Sequence, residues 1–380
     1  MNAFISFVRR EIVFFIAAFC AVASAFFVPP SRIYFKYIDW NTLFILFALM
    51  GVIGALRECG VFDSMARFLC AKVKTVRGLC ALLVLLCFFT SMFITNDVAL
   101  LTFVPFSLLL LCESTGGTMI VFTLVLETIA ANTGSMLTPL GNPQNLFLFS
   151  KIGSGAGQFI LLILPYSLVS LILLCVAVCF FSKKPLHANE SLLLKENSAE
   201  SKKTVRAREI VYGLLFVLCI LSVLRIVPKW ISAAAVFLSL LLLDRKVLCS
   251  VDYMLLLTFA AFFIFTGNIA SIPQIHAFLQ DVVSGNEFMV AVLCSQVISN
   301  VPATLLLYPF SDDAKALLAG VNAGGLGTLV ASLASLISFK FYSAAREKKS
   351  LPSNARYIFV FTVLNAAMLF VLCIARNIFA

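Results

Sequence analysis

Four clusters of polar residues interrupt otherwise apolar stretches of the chain, and their types suit the handling of ions. The first is Thr95-Asn96-Asp97. The second runs Asn132-Thr133-Gly134-Ser135, continues to Thr138, and closes with Gly141-Asn142-Pro143-Gln144-Asn145. The third is Ser299-Asn300-Val301-Pro302, and the fourth is Asn322-Ala323-Gly324-Gly325-Leu326-Gly327-Thr328. Gly and Pro unwind a helix and release its backbone groups. Half-helices cut short at such breaks turn N–H groups and a positive dipole end toward them, which suits an anion. Freed carbonyls, with the oxygens of Asn and Thr side chains, suit a dehydrated Na⁺. Small-residue packing between helices would explain the glycines. It does not explain the Asn and Thr beside them. These residues predict one site at mid-depth for an anion and a coupling cation.

Two acids belong with these breaks. Asp97 sits in the first cluster, and Glu127 lies shortly before the second. Ionisable side chains inside a bilayer are costly and usually functional, so both are candidates for proton or ion coupling. Other chemistries find no support. The twelve Cys form no Cys-x-x-Cys pair and only two His are present, so no metal centre is expected beyond a transported or coupling Na⁺. No phosphate-binding loop and no nucleophile–base pair accompanies the clusters, so an enzyme is not expected and no cofactor is required.

The elements that hold the clusters follow from composition. Of 380 residues, 62% are hydrophobic and 12% charged, with a mean hydropathy of +1.05. No soluble interior of this size could hide that surface, so the chain reads as an all-α polytopic membrane protein with the lipid bilayer around it. The net charge of +10 reads as basic loops on one membrane side rather than as a nucleic-acid surface. Spanning helices are expected over 11–29, 40–57, 155–182, 208–226, 228–243, 252–270 and 353–378. Residues 78–112 and 287–311 carry the first and third clusters at their centres. With each arm too short to cross comfortably, they read as re-entrant hairpins with polar tips. Residues 117–152 and 313–345 read as broken transmembrane helices.

The clusters repeat along the chain. Asn96 and Pro105 recur as Asn300 and Pro309, at a shift of 204. Asn132, Gly134 and Thr138 recur as Asn322, Gly324 and Thr328, at a shift of 190. Two homologous halves are therefore expected, 1–182 and 208–380, each with one re-entrant hairpin and one broken helix, joined by a polar linker at 183–207. Most of the 28 Lys and Arg fall in 1–10, 57–77, 182–208, 244–249 and 340–356. That bias places the linker in the cytoplasm and gives an inverted repeat, the layout of alternating-access carriers.

At these residues the chain resembles the ion transporter superfamily, which includes citrate and divalent-anion/sodium symporters, arsenite permeases and sodium/proton antiporters. The matching stretches are SMFITNDVALLTFVP at 91–105, ANTGSMLTPLGNPQN at 131–145, SNVPATLLLYP at 299–309 and GVNAGGLGTLVASLASL at 320–336. In the dicarboxylate symporters, Ser-Asn-Thr tips hold the substrate carboxylate and neighbouring loops hold Na⁺. The resemblance thus implies substrate or ion binding by Thr95, Asn96, Asp97, Asn132, Thr133, Gly134, Thr138, Gly141, Asn142, Asn145, Ser299, Asn300, Asn322, Gly324, Gly325, Gly327 and Thr328. Asp97 and Val301 depart from the third position of the tip pattern, and an Asn-Asp tip looks more like the arsenite and sodium/proton branches. The expectation is a secondary carrier for a small anion, inorganic or carboxylate, coupled to Na⁺ or H⁺ in a prokaryotic inner membrane. The alternatives are a Na⁺/H⁺ antiporter with Asp97 as the exchanging acid, and an arsenite-type efflux permease. A homodimer is compatible with either.

Overall fold

The computed structural model describes residues 11–114, 117–153, 155–181, 184–185, 202–348 and 351–379. Most of the linker expected at 183–207 lies outside the described residues. The described chain is helical, in agreement with the all-α expectation. The first half comprises α1 (Ile12–Ala25), α2 (Tyr34–Tyr37), α3 (Trp40–Glu58), α4 (Val61–Cys70), α5 (Val76–Ile94), α6 (Asn96–Ser114), α7 (Gly117–Ser135), α8 (Pro143–Ile152) and α9 (Ala156–Cys179). Then follow α10 (Lys202–Val223), α11 (Lys229–Leu243), α12 (Arg245–Ser250), α13 (Tyr253–Ala270), α14 (Pro273–Val283), α15 (Glu287–Ile298), α16 (Asn300–Leu307), α17 (Ala314–Ala323), α18 (Leu333–Lys348) and α19 (Asn354–Phe379). Among the described residues, six helices are long and apolar enough to cross a membrane: α3, α5, α7, α9, α13 and α19. The pair α14 and α15, bent by 106°, would make a seventh if counted as one span.

Several helices start where a polar side chain accepts from an otherwise unpaired N–H. Asp39 Oδ1 accepts from Thr42 N at 3.1 Å ahead of α3. Asp252 Oδ1 accepts from Leu255 N at 2.9 Å ahead of α13. Such caps stabilise a helix by about 1 kcal/mol. Here they also fix where two corresponding helices enter.

The packing partners exchange between the halves. Helix α1 lies against α13 of the second half, while α11 lies against α3 of the first. Helix α8 packs on α16 and α17, and α18 packs on α6 and α7. Within each half, α5 packs on α7 as α15 packs on α17. Each half therefore completes the other rather than standing beside it.

The α5–α6 and α15–α16 hairpins contact different segments of the chain. Val76 N donates to Lys184 O at 3.0 Å, and the Arg77 guanidinium donates to Phe181 O at 2.8 and 2.6 Å. These bonds tie the start of α5 to the C-terminal end of α9. At the far end of the second hairpin, Tyr308 and Pro309 share a cavity with Lys151, just before α9 begins.

The two hairpins differ in length. The α15 and α16 arms have 12 and 8 residues, too short to cross. Helices α5 and α6 have 19 residues each, about 28 Å at 1.5 Å per residue. The expectation that each arm of the first hairpin is too short gives way for α5, which is of spanning length, while α6 is apolar over Asn96–Cys112 and falls among the shorter helices. Helix α7 runs 19 residues to its break and α8 only 10 beyond it. Helix α17 runs 10 residues and α18 runs 16. In both halves the short segment, about 15 Å long, lies toward the Lys151 end. In each half the break therefore divides its helix into a long and a short segment.

Candidate functional site

Each hairpin turns on one residue in a conformation rare for a side chain. Thr95 has φ 69° and ψ 150°; Ser299 has φ 74° and ψ 153°. This region is populated almost only by glycine, and holding a side chain there costs about 1–3 kcal/mol. The two residues are 204 apart, the shift that relates Asn96 to Asn300. The same strained turn is thus built twice, and each turn delivers an Asn to the start of the following helix.

The Asn side chains of the breaks are tied across the halves in a reciprocal pattern. Asn132, near the end of α7, accepts at Oδ1 from Asn96 Nδ2 at 3.0 Å and from Ser332 Oγ at 3.0 Å. Its Nδ2 faces Ser335 Oγ at 3.5 Å. Asn322, near the end of α17, donates to Asn145 Oδ1 at 2.7 Å and accepts from Asn142 Nδ2 at 3.2 Å. Asn142 and Asn145 recur at a shift of 190 as Ser332 and Ser335. Each broken helix is therefore held by a residue pair, three apart, at the corresponding break of the opposite half. All eight side chains, Asn300 included, are at most 5% exposed.

Ser332 and Ser335 are absent from the residues expected from the sequence. Serine is common in apolar helices, and its polarity alone gives no signal. The signal available was the shift of 190 applied to Asn142 and Asn145.

Other expected residues serve the frame of the crossing. Thr138 Oγ1 donates to Met92 O, and Thr328 Oγ1 to Gln296 O at 3.1 Å, each tying its break to the adjacent hairpin. Gly141 O accepts from Asn96 N at 3.1 Å. Thr133 Oγ1 bonds back to Ile129 O at 2.8 Å, so its hydroxyl serves its own helix. Gly134 permits close approach: a Cβ there would lie 2.0 Å from Phe88 O and 2.7 Å from Ser91 Oγ. Gly324 meets Ser295 Oγ in the same manner, at 2.7 Å. Gly327 has φ 109°, and a Cβ on it would run into Gln296 Oε1.

The unwound carbonyls are covered differently in the two halves. Asn145 Nδ2 donates to Ser135 O, Met136 O and Thr138 O at 3.3, 2.9 and 3.0 Å. In the second half Gln296 Nε2 donates to Gly324 O and Leu326 O, each at 2.9 Å. Gln296 comes from the hairpin, where the first half has Met92. Gly325 leaves room for Asn300: a Cβ on it would lie 2.8 Å from Asn300 Nδ2.

The two acids occupy different places. Asp97 lies in the first turn of α6, where the helix dipole favours negative charge. Its Oδ1 is buried without a hydrogen-bond partner. Glu127 is fully buried inside α7, and its Oε1 accepts from Ser107 Oγ at 2.5 Å. Glu127 Oε2 is buried without a partner. This hydrogen bond runs to α6 rather than to the Asn network. Among the described residues no group of three or more His, Cys, Asp or Glu could hold a metal ion.

At the outer end of α8, Lys151 Nζ lies 2.8 Å from Asp39 Oδ2. Burial pushes the Asp39 carboxyl up, but the Lys151 ammonium, the Thr42 N–H and Lys229 together bring it below its ordinary value of 3.8. A depressed carboxyl contributes stability above its ordinary pKa and loses it as pH falls through the depressed one. The pair therefore persists through mild acid.

A family model described as citrate transporter matches residues 2–338 of this chain. The chain belongs to the citrate transporter family. The inner membrane protein YbiR of Escherichia coli is 33% identical over 334 residues, 86% of each chain. The uncharacterized transporter MJ0456 of Methanocaldococcus jannaschii is 33% identical over 316 residues, covering 82% of this chain and 84% of its own. A 46 kDa membrane protein of Mycobacterium leprae is 25% identical over 369 residues, with 87% and 85% coverage. The family and these relatives identify this chain as an integral membrane transporter.

Proposed function

We propose that the protein is a secondary carrier for a small anion, an inorganic oxyanion or a carboxylate, moved by alternating access and coupled to Na⁺ or H⁺. The observation that carries this reading is the reciprocal crossing, in which Asn132 is held by Ser332 and Ser335 while Asn322 is held by Asn142 and Asn145. Two broken helices whose polar ends exchange partners across the halves supply N–H donors for an anion and oxygens for a cation. The exchanged packing of α1, α3, α11 and α13 fits two related halves, and the excess of Lys and Arg in 57–77, 182–208 and 340–356 favours an inverted repeat with the linker in the cytoplasm of a prokaryotic cell. A carrier needs no enzyme chemistry, and a coupling Na⁺ would be its only bound cation.

The test is uptake into proteoliposomes of labelled sulfate, phosphate, arsenite, citrate and succinate, each with and without a Na⁺ gradient and a pH gradient. Accumulation of at least one anion, enhanced by one of the gradients, is the expected result. A protein that moves none of them is not this carrier.

The unpartnered Asp97 Oδ1 favours a second reading, a Na⁺/H⁺ antiporter with Asp97 as the exchanging acid. Asp97→Asn keeps size and hydrogen bonding but cannot ionise. In the anion carrier this variant should keep substrate binding and lose most of its Na⁺ or pH dependence. In the antiporter it should lose nearly all cation exchange. Binding at fixed pH with and without Na⁺, alongside Na⁺-driven proton release, separates the two.

A further inference from the structure

A cavity of about 480 Å³ opens between α2, α8, α13 and the end of α16. Its walls include Tyr37, Phe147, Phe263, Leu305 and Tyr308, and its lining contains one cationic side chain, Lys151. Phe147 packs against Phe263 at 5.6 Å and edge-on against Tyr308 at 5.3 Å. Lys151 lies one turn after Phe147 on α8, with Nζ 5.5 Å from the ring centroid. Phe147 is two residues from Asn145, and Leu305 five from Asn300. The cavity therefore lies on α8 and α16, two helices that also carry the asparagine crossing.

Its chemistry is selective. The Thr266 and Ser271 hydroxyls donate to Phe262 O at 2.8 Å and Asn268 O at 2.7 Å, on their own helix. An inorganic oxyanion, which needs donors on several sides, finds few. An anion with one oxyanion group and an apolar body finds an ammonium above aromatic rings. Asp39 can release Lys151 without being stranded, because its Oδ1 keeps Thr42 N at 3.1 Å and the Lys229 charge still favours its ionised form.

We propose that this cavity is an outer binding site, where an organic anion takes Lys151 from Asp39 and lays its apolar body against Ile33, Tyr37 and Tyr308 before passing to the crossing. The inference rests on the anion-carrier reading. Capture here sets the concentration dependence of uptake from that side, while the crossing sets turnover.

The experiment measures KM and turnover for benzoate, succinate, citrate, sulfate and phosphate in proteoliposomes, for wild type, Lys151→Gln, Lys151→Arg and Asp39→Asn. Lys151→Gln should raise the KM of the transported organic anion by about tenfold, the loss of one charge-assisted bond, with turnover little changed. Lys151→Arg should restore most of it. Asp39→Asn keeps a cap oxygen for Thr42 N but frees the ammonium, and should lower KM. A merely structural ion pair would make Lys151→Gln and Asp39→Asn fail alike, which overturns the proposal. So does transport confined to sulfate or phosphate, or a KM indifferent to Lys151→Gln. Should Lys151→Gln not fold, Asp39→Asn decides alone: a lowered KM supports the outer site, and an unchanged or raised one overturns it. Wild type that moves no anion at all defeats the carrier reading itself.

Discussion

Asn322→Ala is expected to lose nearly all anion uptake while the protein still inserts and folds. The side chain is 4% exposed and bonds Asn145 Oδ1 at 2.7 Å and Asn142 Nδ2 at 3.2 Å. Its removal strips both of their bond across the halves. Each buried group left unpaired costs about 1–3 kcal/mol, roughly 5–150-fold in an equilibrium that depends on the crossing. Asn132→Ala should act in the same direction but less, because one of its cross-half contacts is a long 3.5 Å. A control is available in Asn365, fully buried, whose Nδ2 donates to Phe361 O within its own helix at 2.9 Å. Uptake normalised to monodisperse protein should be near wild type for Asn365→Ala. Equal losses in Asn322→Ala and Asn365→Ala would mean that any buried Asn matters, and the crossing would have no special role.

The second large effect is on stability. Gly134→Ala places a Cβ 2.0 Å from a backbone carbonyl of α5, so α5 and α7 must separate. Overpacking of this kind costs about 1–3 kcal/mol, and occasionally more. Gly324→Ala occupies the corresponding position, but its contacts are milder, the Ser295 hydroxyl at 2.7 Å and Gly320 O and Ser295 Cβ at 2.9 Å. Thermal unfolding in detergent should therefore show a larger fall in melting temperature for Gly134→Ala than for Gly324→Ala. The reverse order would contradict the close packing of α5 on α7.

Much of this arrangement was legible in the sequence because polar residues are rare in it. In a chain this apolar, Asn96, Asn132, Asn300 and Asn322 stand out, and their shifts of 204 and 190 reveal the repetition directly. Gly134 and Gly324 were legible for the same reason. Ser332 and Ser335 were not, since serine is compatible with lipid-facing and buried helix surfaces alike. Nor was the off-centre depth of the breaks, which depends on where α7 and α17 start. Apolar residues on either side of a membrane boundary look the same, so the spanning length of α5 carries no local signal. Glu127 stood out as a buried acid, but its pairing with Ser107 needs the packing of α6 on α7, which no local pattern encodes. The Lys151–Asp39 pair joins residues 112 apart in sequence and carries no periodic signal.

The most direct test of the crossing as a single site is equilibrium binding. The dissociation constant of whichever anion the wild type accumulates should be measured for wild type, Asn132→Ala, Asn322→Ala and the double variant, in detergent at fixed pH and Na⁺. One shared site predicts that each single variant weakens binding by roughly 5–150-fold. The double variant should then weaken it by less than the product of the two, because either loss opens the same network. Unchanged binding in either single variant, with the protein folded, would remove that half from the site and contradict the account.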